Sequence, residues 1–395
     1  MKNRTLWIDN LRSFIILLVV AHHAALSYTT YAYFNKDAYA LSSHPIVDAQ
    51  RWAGMDFFVY FNDIFMMSLM FFISGLFITS SLNKKGRRVF LRDRFNRLVV
   101  PFIIGATIII PLALYPSYYV AHGDFNFKSF ITDFFTVEQW PIGPPWFIWV
   151  LFLFNLIFVL IYKPLKKILD TLSRALLHTK DKPFLIFVVW FMLMWILYVP
   201  LRLIFGPYTW TIGIGPFDFQ RCTLLFYFGY FLLGAVFGNI TTENGIFTEK
   251  FDFLKRWKVW LTMCCFSFLV LLSIDNPALG NPLKQFAEWV KIGRTSGDTI
   301  YDTFYVATCT FSCLAFLSMF KALANYTNSF WDSIASNSFF IYLVHYIFII
   351  WAQFAILQLD IPAILKFIIV FITAVSLSWL LSHIVHKNKM LSRYF

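Results

Sequence analysis

IDNLRSFIILLVVAHHAALSY, residues 8–28, is an apolar run that carries two histidines in its middle. About 20 such residues form a helix long enough to cross the ~30 Å of hydrocarbon in a bilayer. An ionisable side chain at that depth is costly unless it faces a cavity or a partner. The stretch therefore predicts a membrane-spanning helix and marks His22 and His23 as candidate functional residues.

The rest of the chain repeats this apolar pattern. Of its 395 residues, 59% are hydrophobic and only 14% are charged, whereas a soluble domain is about 25% charged. Ten runs can each span a bilayer, near residues 13–31, 57–82, 98–121, 145–162, 184–205, 222–240, 259–274, 300–320, 337–357 and 363–385. We expect an all-α, polytopic integral membrane helical bundle of about ten transmembrane helices. Residues 1–395 are expected to form a single domain with no appended soluble domain.

The distribution of basic residues predicts the orientation of the bundle. Loops rich in Lys and Arg stay on the cytoplasmic side, and most of the 33 basic residues fall on that side if the amino terminus is cytoplasmic. Both termini are therefore predicted to be cytoplasmic. The first run has no small-residue cleavage site nearby and nine further runs follow it, so it is not interpreted as a removable signal peptide.

Charge and cysteine content argue against other classes of protein. The net charge is +12, but the basic residues lie beside predicted helix ends, where they meet anionic lipid headgroups, so membrane lipids and not nucleic acid are expected partners. All five cysteines lie in predicted spans, which argues against a disulfide framework. Cys309 and Cys313 share a helix face without convincing further ligands, so we interpret them as packing residues and expect no metal site.

The first helix brings charged side chains onto one face. Arg12 and His23 are eleven residues apart, which is three helical turns plus about 20°, and a rise of about 16 Å. His23 would then lie near mid-bilayer, as a neutral, proton-accepting imidazole. Asp9 can orient the Arg12 guanidinium from three residues away. His22 points to another face and is interpreted as a structural residue bonded to a neighbouring helix.

Two later helices carry polar groups at a similar predicted depth. Ser74 lies about 15 Å from the cytoplasmic end of the second span, and His345 about 13 Å along the ninth. We therefore expect His23, Ser74 and His345 in one layer. Two structural alternatives stay open, in which Ser74 bonds back to its own helix and Gly75 allows close helix packing.

The connection between the second and third spans is strongly basic and reads KKGRRVFLRDRFNRLVVP, residues 84–101. Topology alone accounts for most of this charge. Arg94 and Arg97, however, form an i, i+3 pair before Pro101 and share a helix face. Paired guanidinium groups can bind phosphate bidentately. The pair predicts a cytoplasmic, phosphate-bearing donor whose reactive end reaches towards His23.

Together these motifs resemble the acyltransferase 3 family of bacterial membrane acyltransferases. The resemblance covers essentially the whole chain and rests on six features: D9-x-x-R12, R12-x10-H23, FFISG at 71–75, R94-x-x-R97 with Pro101, PWFI at 145–148 and SFFIYLVH at 338–345. Within the family the chain most resembles the glucan biosynthesis protein C branch, which is similar to enzymes that succinylate glucans.

The resemblance implies a function and roles for the residues. It implies transfer of an acetyl or succinyl group from acyl-CoA, a co-substrate and not a permanent cofactor, to a hydroxyl of an extracytoplasmic glucan, polysaccharide or glycolipid. The location implied is the bacterial plasma (inner) membrane. His23 would be the essential histidine and Arg12 its partner, with Arg94 and Arg97 meeting coenzyme A. A supporting role is expected for His345.

The sequence leaves the substrates open. Other branches place acidic residues after the tryptophan of the fourth span, whereas this chain reads WFIWVLFLFN at 146–155. No second cationic residue is predicted near His23 to pair with a succinyl carboxylate, so acetyl and succinyl remain alternatives. Trp52, Trp140, Trp210 and Trp289 in the outside loops are interpreted mainly as interfacial anchors, with sugar binding as the alternative.

A competing hypothesis is a transporter or flippase for a saccharide or lipid-linked sugar. His23 and His345 would then form a proton relay. This hypothesis accounts for the buried histidines but not for Arg94 and Arg97, and no inverted repeat is visible. A non-catalytic sensor is a third and weaker alternative.

Overall fold

The structure is a computed structural model that describes residues 5–207, 210–211, 214–240, 251–275 and 296–388. Its helices are α1 Leu6–Leu26, α2 Ala53–Leu76, α3 Ile78–Arg94, α4 Val100–Ile104, α5 Ile110–His122, α6 Phe127–Thr136, α7 Trp146–His178, α8 Pro183–Phe205, α9 Leu224–Gly238, α10 Trp257–Asp275, α11 Ser296–Leu323, α12 Ser329–Ala355 and α13 Ala363–His386. Two short strands, β1 Trp210–Thr211 and β2 Phe219–Gln220, pair as an antiparallel hairpin.

The prediction of an all-α membrane bundle is confirmed. Among the described residues, nine helices are long and apolar enough to cross a membrane, with Ile78–His122 counted as one, and α9 is a shorter apolar helix of 15 residues. Each of the ten predicted spans coincides with one of these helices. The first boundary was wrong, because α1 begins at Leu6 and ends at Leu26 rather than running from 13 to 31.

The helix between the second and third spans is interrupted by a kink at a single glycine. Gly86 has a φ of 72° and a ψ of 163°, inside a segment that is otherwise helical from Ile78 to Arg94. A side chain is strained in this backbone conformation, which glycine adopts readily. An ion pair of 2.6 Å between Lys85 and Asp93 joins the two arms. The basic connection is therefore a kinked helical segment and not an open loop.

The helix of the third membrane crossing contains two wider, π-helical segments. π-helical segments at Phe95–Val99 and Gly105–Ile109 separate α3, α4 and α5. Each segment ends shortly before a proline, Pro101 or Pro111. Proline has no N–H to donate and its ring collides with the preceding turn, so a local π-helical turn accommodates it. Arg97 lies within the first widened segment.

Helix α1 lies in the centre of the bundle and packs against α2, α11, α12 and α13. Its start is fixed by Asn10, whose amide donates to the carbonyl oxygens of Ala324 and Tyr326, each at 2.8 Å. Buried apolar residues such as Leu11, Ile15 and Val20 form most of its packed surface. The helix that carries Arg12 and His23 is therefore held rigidly at the centre of the fold.

Close packing of α2 on α9 depends on small residues. A Cβ added to Gly75 would lie 2.0 Å from the Phe231 carbonyl oxygen, and one added to Gly234 would lie 2.1 Å from that of Phe72. These distances leave no room for a methyl group. The interpretation of Gly75 as a packing residue is confirmed, in agreement with the role of small residues where membrane helices cross.

Candidate active site

Two cavities open on opposite sides of the centre of the bundle. The first, which we name the arginine cavity, has a volume of about 380 Å³. It lies near the start of α1, and its polar residues are Arg12, Ser74, Arg94, Arg97, Ser336, Ser338 and Tyr342. Three guanidinium groups from two separate parts of the chain thus line one space, as the sequence predicted for Arg94 and Arg97.

The second cavity, which we name the histidine cavity, has a volume of about 280 Å³ and lies near the end of α1. Its walls combine aromatic rings with polar and charged groups: His22, His23, Tyr60, Asp63, Trp146, Tyr198, Arg202, Trp210, Gln220, Thr223, Tyr227, Tyr301 and Tyr305. Such a lining suits a ligand that offers both apolar faces and hydrogen-bonding groups.

The partition between the two cavities is thin. On α7, Trp146 lines the histidine cavity and the next residue, Phe147, lines the arginine cavity. On α2, Met67 lines the histidine cavity, and Met70, three residues later, lines the arginine cavity. Three residues of helix correspond to a rise of about 4.5 Å. About one helical turn therefore separates the two spaces.

His23 lies at this partition and is only partly buried. Its Nδ1 lies 2.8 Å from the carbonyl oxygen of Val19. Because a carbonyl only accepts, Nδ1 carries the proton and donates it, which leaves Nε2 with the lone pair. The His345 ring lies 5.2 Å away between centroids and the Tyr346 ring 5.5 Å away. The arrangement provides an oriented proton acceptor beside the histidine cavity.

His345 is fully buried and oriented in the same manner. Its Nδ1 lies 2.6 Å from the Tyr342 carbonyl oxygen of its own helix, α12. Its Nε2 is buried and makes no hydrogen bond within the described residues. The two imidazoles therefore meet as neighbouring rings, each with Nδ1 bonded to a backbone carbonyl. The predicted proximity of His23 and His345 is confirmed.

Asp9 and Arg12 form an ion pair at 3.6 Å, as their spacing predicted. The Arg12 side chain remains 42% exposed, so its guanidinium is accessible from the arginine cavity. Arg94 packs against Phe90, with its guanidinium carbon 5.0 Å from the ring centroid. These neighbours hold two of the three cations in place without neutralising the cavity.

One prediction about depth was wrong. Ser74 lines the arginine cavity and not the histidine cavity, and its hydroxyl donates to the Met70 carbonyl oxygen at 2.9 Å. The single layer of His23, Ser74 and His345 therefore does not exist, and the alternative in which Ser74 bonds to its own helix is confirmed. His23 lies three residues before the end of α1 and contacts His345, which lies ten residues before the end of α12. The position of His23 near mid-bilayer stays a prediction.

His22 also departs from the expectation. It contacts another helix as predicted, since its Nε2 lies 3.5 Å from Asp63 of α2. However, it lines the histidine cavity beside His23, with the two ring centroids 5.3 Å apart. Asp63 was missed by the sequence analysis. A carboxylate inside an apolar run was the available signal, because such residues are rare in membrane helices and mark functional positions.

Arg202 of α8 was also missed. It lines the histidine cavity and forms an ion pair with Asp302 of α11 at 3.3 Å, with 12% and 0% of the two side chains exposed. The expectation that no second cation lies near His23 is therefore wrong. Arg202 lies three residues before the end of α8 and His23 three residues before the end of α1, and the sequence does not show that these two helix ends border one cavity.

The segment between α1 and α2, residues 27–52, packs over the end of the bundle where the histidine cavity lies. An ion pair of 2.7 Å joins its Asp48 to Lys366 of α13, and both side chains are only 1% exposed. His44 bonds to Gln353 of α12 at 2.8 Å, and burial lowers the pKa of His44 to about 4. The carboxylate of Glu138 accepts from two backbone amides of the same segment.

The tryptophans of the predicted outside loops have different roles. Trp210, on strand β1, lines the histidine cavity and packs edge-on against Trp146 at 5.8 Å. Trp140 instead donates to the Ala106 carbonyl oxygen at 3.0 Å and is structural. Trp52 is 50% exposed, as an interfacial residue would be. Trp289 lies outside the described residues.

Comparison with known proteins agrees with this geometry. The family model of the acyltransferase 3 domain, described as an acyltransferase domain, matches residues 5–383. The chain belongs to the acyltransferase 3 family. Glucans biosynthesis protein C of Salmonella schwarzengrund strain CVM19633 is 25% identical over 247 residues, which cover 59% of this chain and 58% of the relative. The protein of the same name from Escherichia coli O139:H28 is 24% identical over 255 residues, covering 62% and 61%.

The match therefore spans about three fifths of the length of these curated relatives. No solved structure matches the chain. At this level of identity the relatives support the family, and substrates have to be argued from this chain's own residues.

The motifs of this acyltransferase 3 chain converge on the partition. Along SFFIYLVH, the residues Ser338, Phe339 and Tyr342 line the arginine cavity, and His345 meets His23. These positions are i, i+1, i+4 and i+7 of α12 and share one helical face. The Tyr342 hydroxyl donates to the carbonyl oxygen of Pro144, which precedes PWFI at the start of α7. The SFFIYLVH motif thus forms one continuous wall from the arginine cavity to His23.

Proposed function

We propose that this protein is a membrane-embedded O-acyltransferase that moves an acyl group from acyl-CoA to a hydroxyl group of a carbohydrate on the opposite side of the membrane. One observation carries the proposal. His23 lies at a partition about one helical turn thick, with a cavity of three arginines on one side and an aromatic, polar cavity on the other.

The arginine cavity would bind the donor. Phosphate groups are recognised by guanidinium clusters, which combine charge with several N–H donors. Arg12 lies about 16 Å from His23 along α1, so an extended thioester arm can reach the partition from phosphates bound at Arg94 and Arg97. The positive-inside rule predicts that this cavity faces the cytoplasm, where acyl-CoA is available.

The histidine cavity would bind the acceptor. Trp146, Trp210 and Tyr227 offer ring faces, and Asp63 and Gln220 offer hydrogen-bonding groups. A sugar presents both kinds of surface, because its C–H groups pack on aromatic rings while its hydroxyls bond to polar side chains. The two relatives described above are named for glucan biosynthesis, which supports a glucan, another polysaccharide or a glycolipid as the acceptor class.

The reaction needs a base and an acyl carbonyl placed beside it. Nε2 of His23 takes the proton of the acceptor hydroxyl while the hydroxyl oxygen attacks the thioester carbonyl. The new C–O bond forms, the C–S bond breaks, and the imidazolium returns the proton to the departing thiolate. The products are the acyl ester and coenzyme A with a free thiol. The Nδ1 bond to Val19 keeps the ring in the tautomer that this step requires.

The proposal is tested by thiol release. Purified protein in nanodiscs receives acetyl-CoA or succinyl-CoA with a glucan acceptor, and free coenzyme A is measured with a thiol reagent. We expect release that depends on the acceptor and falls sharply in His23→Gln. Absence of acceptor-dependent release with either donor, together with saccharide movement across vesicles, would favour the transporter hypothesis instead.

A further inference from the structure

The buried ion pair between Arg202 and Asp302 lies in the wall of the histidine cavity and is not needed by the chemistry described above. Asp302 is fully buried, whereas the Arg202 side chain keeps 12% of its surface exposed and contributes to the cavity lining. Among the described residues that line this cavity, Arg202 is the one Arg or Lys side chain. Its charge therefore faces the space in which we place the acceptor and the acyl group.

The surroundings of Arg202 fix its position. Its closest approach to Asp302 is through Nε, which supplies one of the five N–H donors of a guanidinium. The guanidinium carbon lies 6.0 Å from the Tyr301 ring centroid, and Tyr198 is a hydrogen-bonding neighbour. A planar cation held at one edge by a carboxylate and beside aromatic rings is preorganised to bind a second carboxylate.

The other ionisable groups of the cavity do not compete for this role. Asp63 faces the imidazole of His22 at 3.5 Å, and His23 donates its one N–H to Val19. An ion pair that only tied α8 to α11 would gain nothing from contact with a cavity, because surrounding water or ligand weakens it. The position of Arg202 is more consistent with a binding group than with a purely structural one.

We propose that Arg202 binds a carboxylate of the substrate in the histidine cavity, so that a dicarboxylic acyl group such as succinyl is preferred over acetyl. This inference rests on the proposed acyl transfer and names its substrate class. The cavity volume of about 280 Å³ is close to the lower end of the range for ligand pockets, about 300–1,000 Å³, which suits a short acyl group together with a small part of the acceptor. The same chemistry would recognise a carboxylate on an acidic sugar, and the experiment separates the two sources.

The test compares donors in matched variants. Arg202→Ala alone would remove the ion-pair partner of the fully buried Asp302 carboxylate, which destabilises proteins strongly, so the main variant is the double Arg202→Gln/Asp302→Asn, with Arg202→Lys as a second. Arg221→Gln serves as the control, because Arg221 lies between β2 and α9, bonds to Thr211 and does not line the cavity. The readout is the ratio of kcat/KM for succinyl-CoA to that for acetyl-CoA.

We expect the double variant to lower this ratio by about ten- to a hundredfold, Arg202→Lys to lower it less, and Arg221→Gln to leave it unchanged. A general folding defect would reduce both rates and leave the ratio constant. If the ratio holds but the double variant lowers acetyl transfer to a uronic-acid glycan relative to a neutral glucan, the carboxylate belongs to the acceptor, and Arg202 is still its binding group. An unchanged ratio in both comparisons would overturn the inference.

A binding measurement keeps this inference separate from the proposed function. Sodium succinate should raise the Tm of the wild-type protein more than succinamide does, and the double variant should lose the difference. If the wild type releases no thiol from either acyl-CoA, the proposed function fails, and the succinate titration then decides the carboxylate site alone. Equal Tm shifts with succinate and succinamide would exclude the site.

Discussion

Replacing Arg94 and Arg97 by alanine should weaken acyl-CoA binding without unfolding the protein. Both side chains line the arginine cavity. Arg94 is partly buried and Arg97 is exposed, so neither supports the core. Because they lie beside Arg12 in one cavity, the loss should appear in the affinity for the phosphates of the donor and not in the binding of a neutral glucan.

The expected size follows from the exposure of the two groups. A hydrogen bond to a charged group contributes about 1.5–3 kcal/mol, and the lower value applies here because both guanidinium groups remain in contact with solvent. A factor of ten in affinity corresponds to about 1.4 kcal/mol. Each substitution should therefore raise the Kd for coenzyme A about tenfold, and the double variant about a hundredfold if the two effects add.

Calorimetric titration of coenzyme A into the protein in nanodiscs gives the affinity, at about 0.15 M salt, where exposed charges are screened beyond about 8 Å. The control is Arg87→Ala/Arg88→Ala, which removes the same charge from the same basic segment, residues 84–101, at exposed positions outside the cavity. It should change the Kd by less than threefold. An equal loss in the control would reduce the effect to overall charge, and an unchanged Kd in the cavity variant would refute the donor site.

Three further outcomes are expected. His23→Gln should lower kcat by a factor of about 10²–10⁴, whereas His22→Gln should retain more activity, because of the two only His23 packs against the His345 ring. Initial rates of acyl transfer measure both losses. Equal losses in the two variants would contradict a special role for His23. Lys366→Met should destabilise the fold by about 3–5 kcal/mol, because it leaves the buried carboxylate of Asp48 without its ion-pair partner. The Tm in detergent should fall in this variant and recover largely in Lys366→Met/Asp48→Asn. No recovery in the double variant would argue that the ion pair does not stabilise the fold. Gly75→Ala should reduce the yield of folded protein in fluorescence-detected chromatography, since the added methyl would lie 2.0 Å from a carbonyl oxygen of α9; a normal yield would show that the two helices can separate.

The sequence predicted the architecture and part of the site because both depend on local regularities. Apolar runs of about 20 residues can be satisfied only as helices in a bilayer, and all ten predicted spans are helical. Helical periodicity placed Arg12 next to Asp9 and put Arg94 and Arg97 on one face. The predicted cytoplasmic location of both termini and the single domain of 1–395 stay predictions. So do the catalytic and binding roles of the site residues.

The sequence predicted less well which residues lie at the same level of the bundle and which side chains contact one another. The predicted first span began seven residues after the observed start of α1. Ser74 was grouped with His23 although the two line different cavities. Asp63 and Arg202 were overlooked, since one charged residue in an apolar helix shows nothing in the sequence about what it faces.

By itself, the sequence determined which segments cross the membrane and which residues share a face of a single helix, because these properties follow from composition and from the 3.6-residue repeat. Only the tertiary structure decided that His345 meets His23 across more than 300 residues of chain, and that Arg202 opens into the same cavity. Which helix faces meet depends on packing between distant segments, such as the glycine contacts of α2 with α9. Local patterns carry no information about those contacts, so the two cavities and the thin wall between them exist only in the folded bundle.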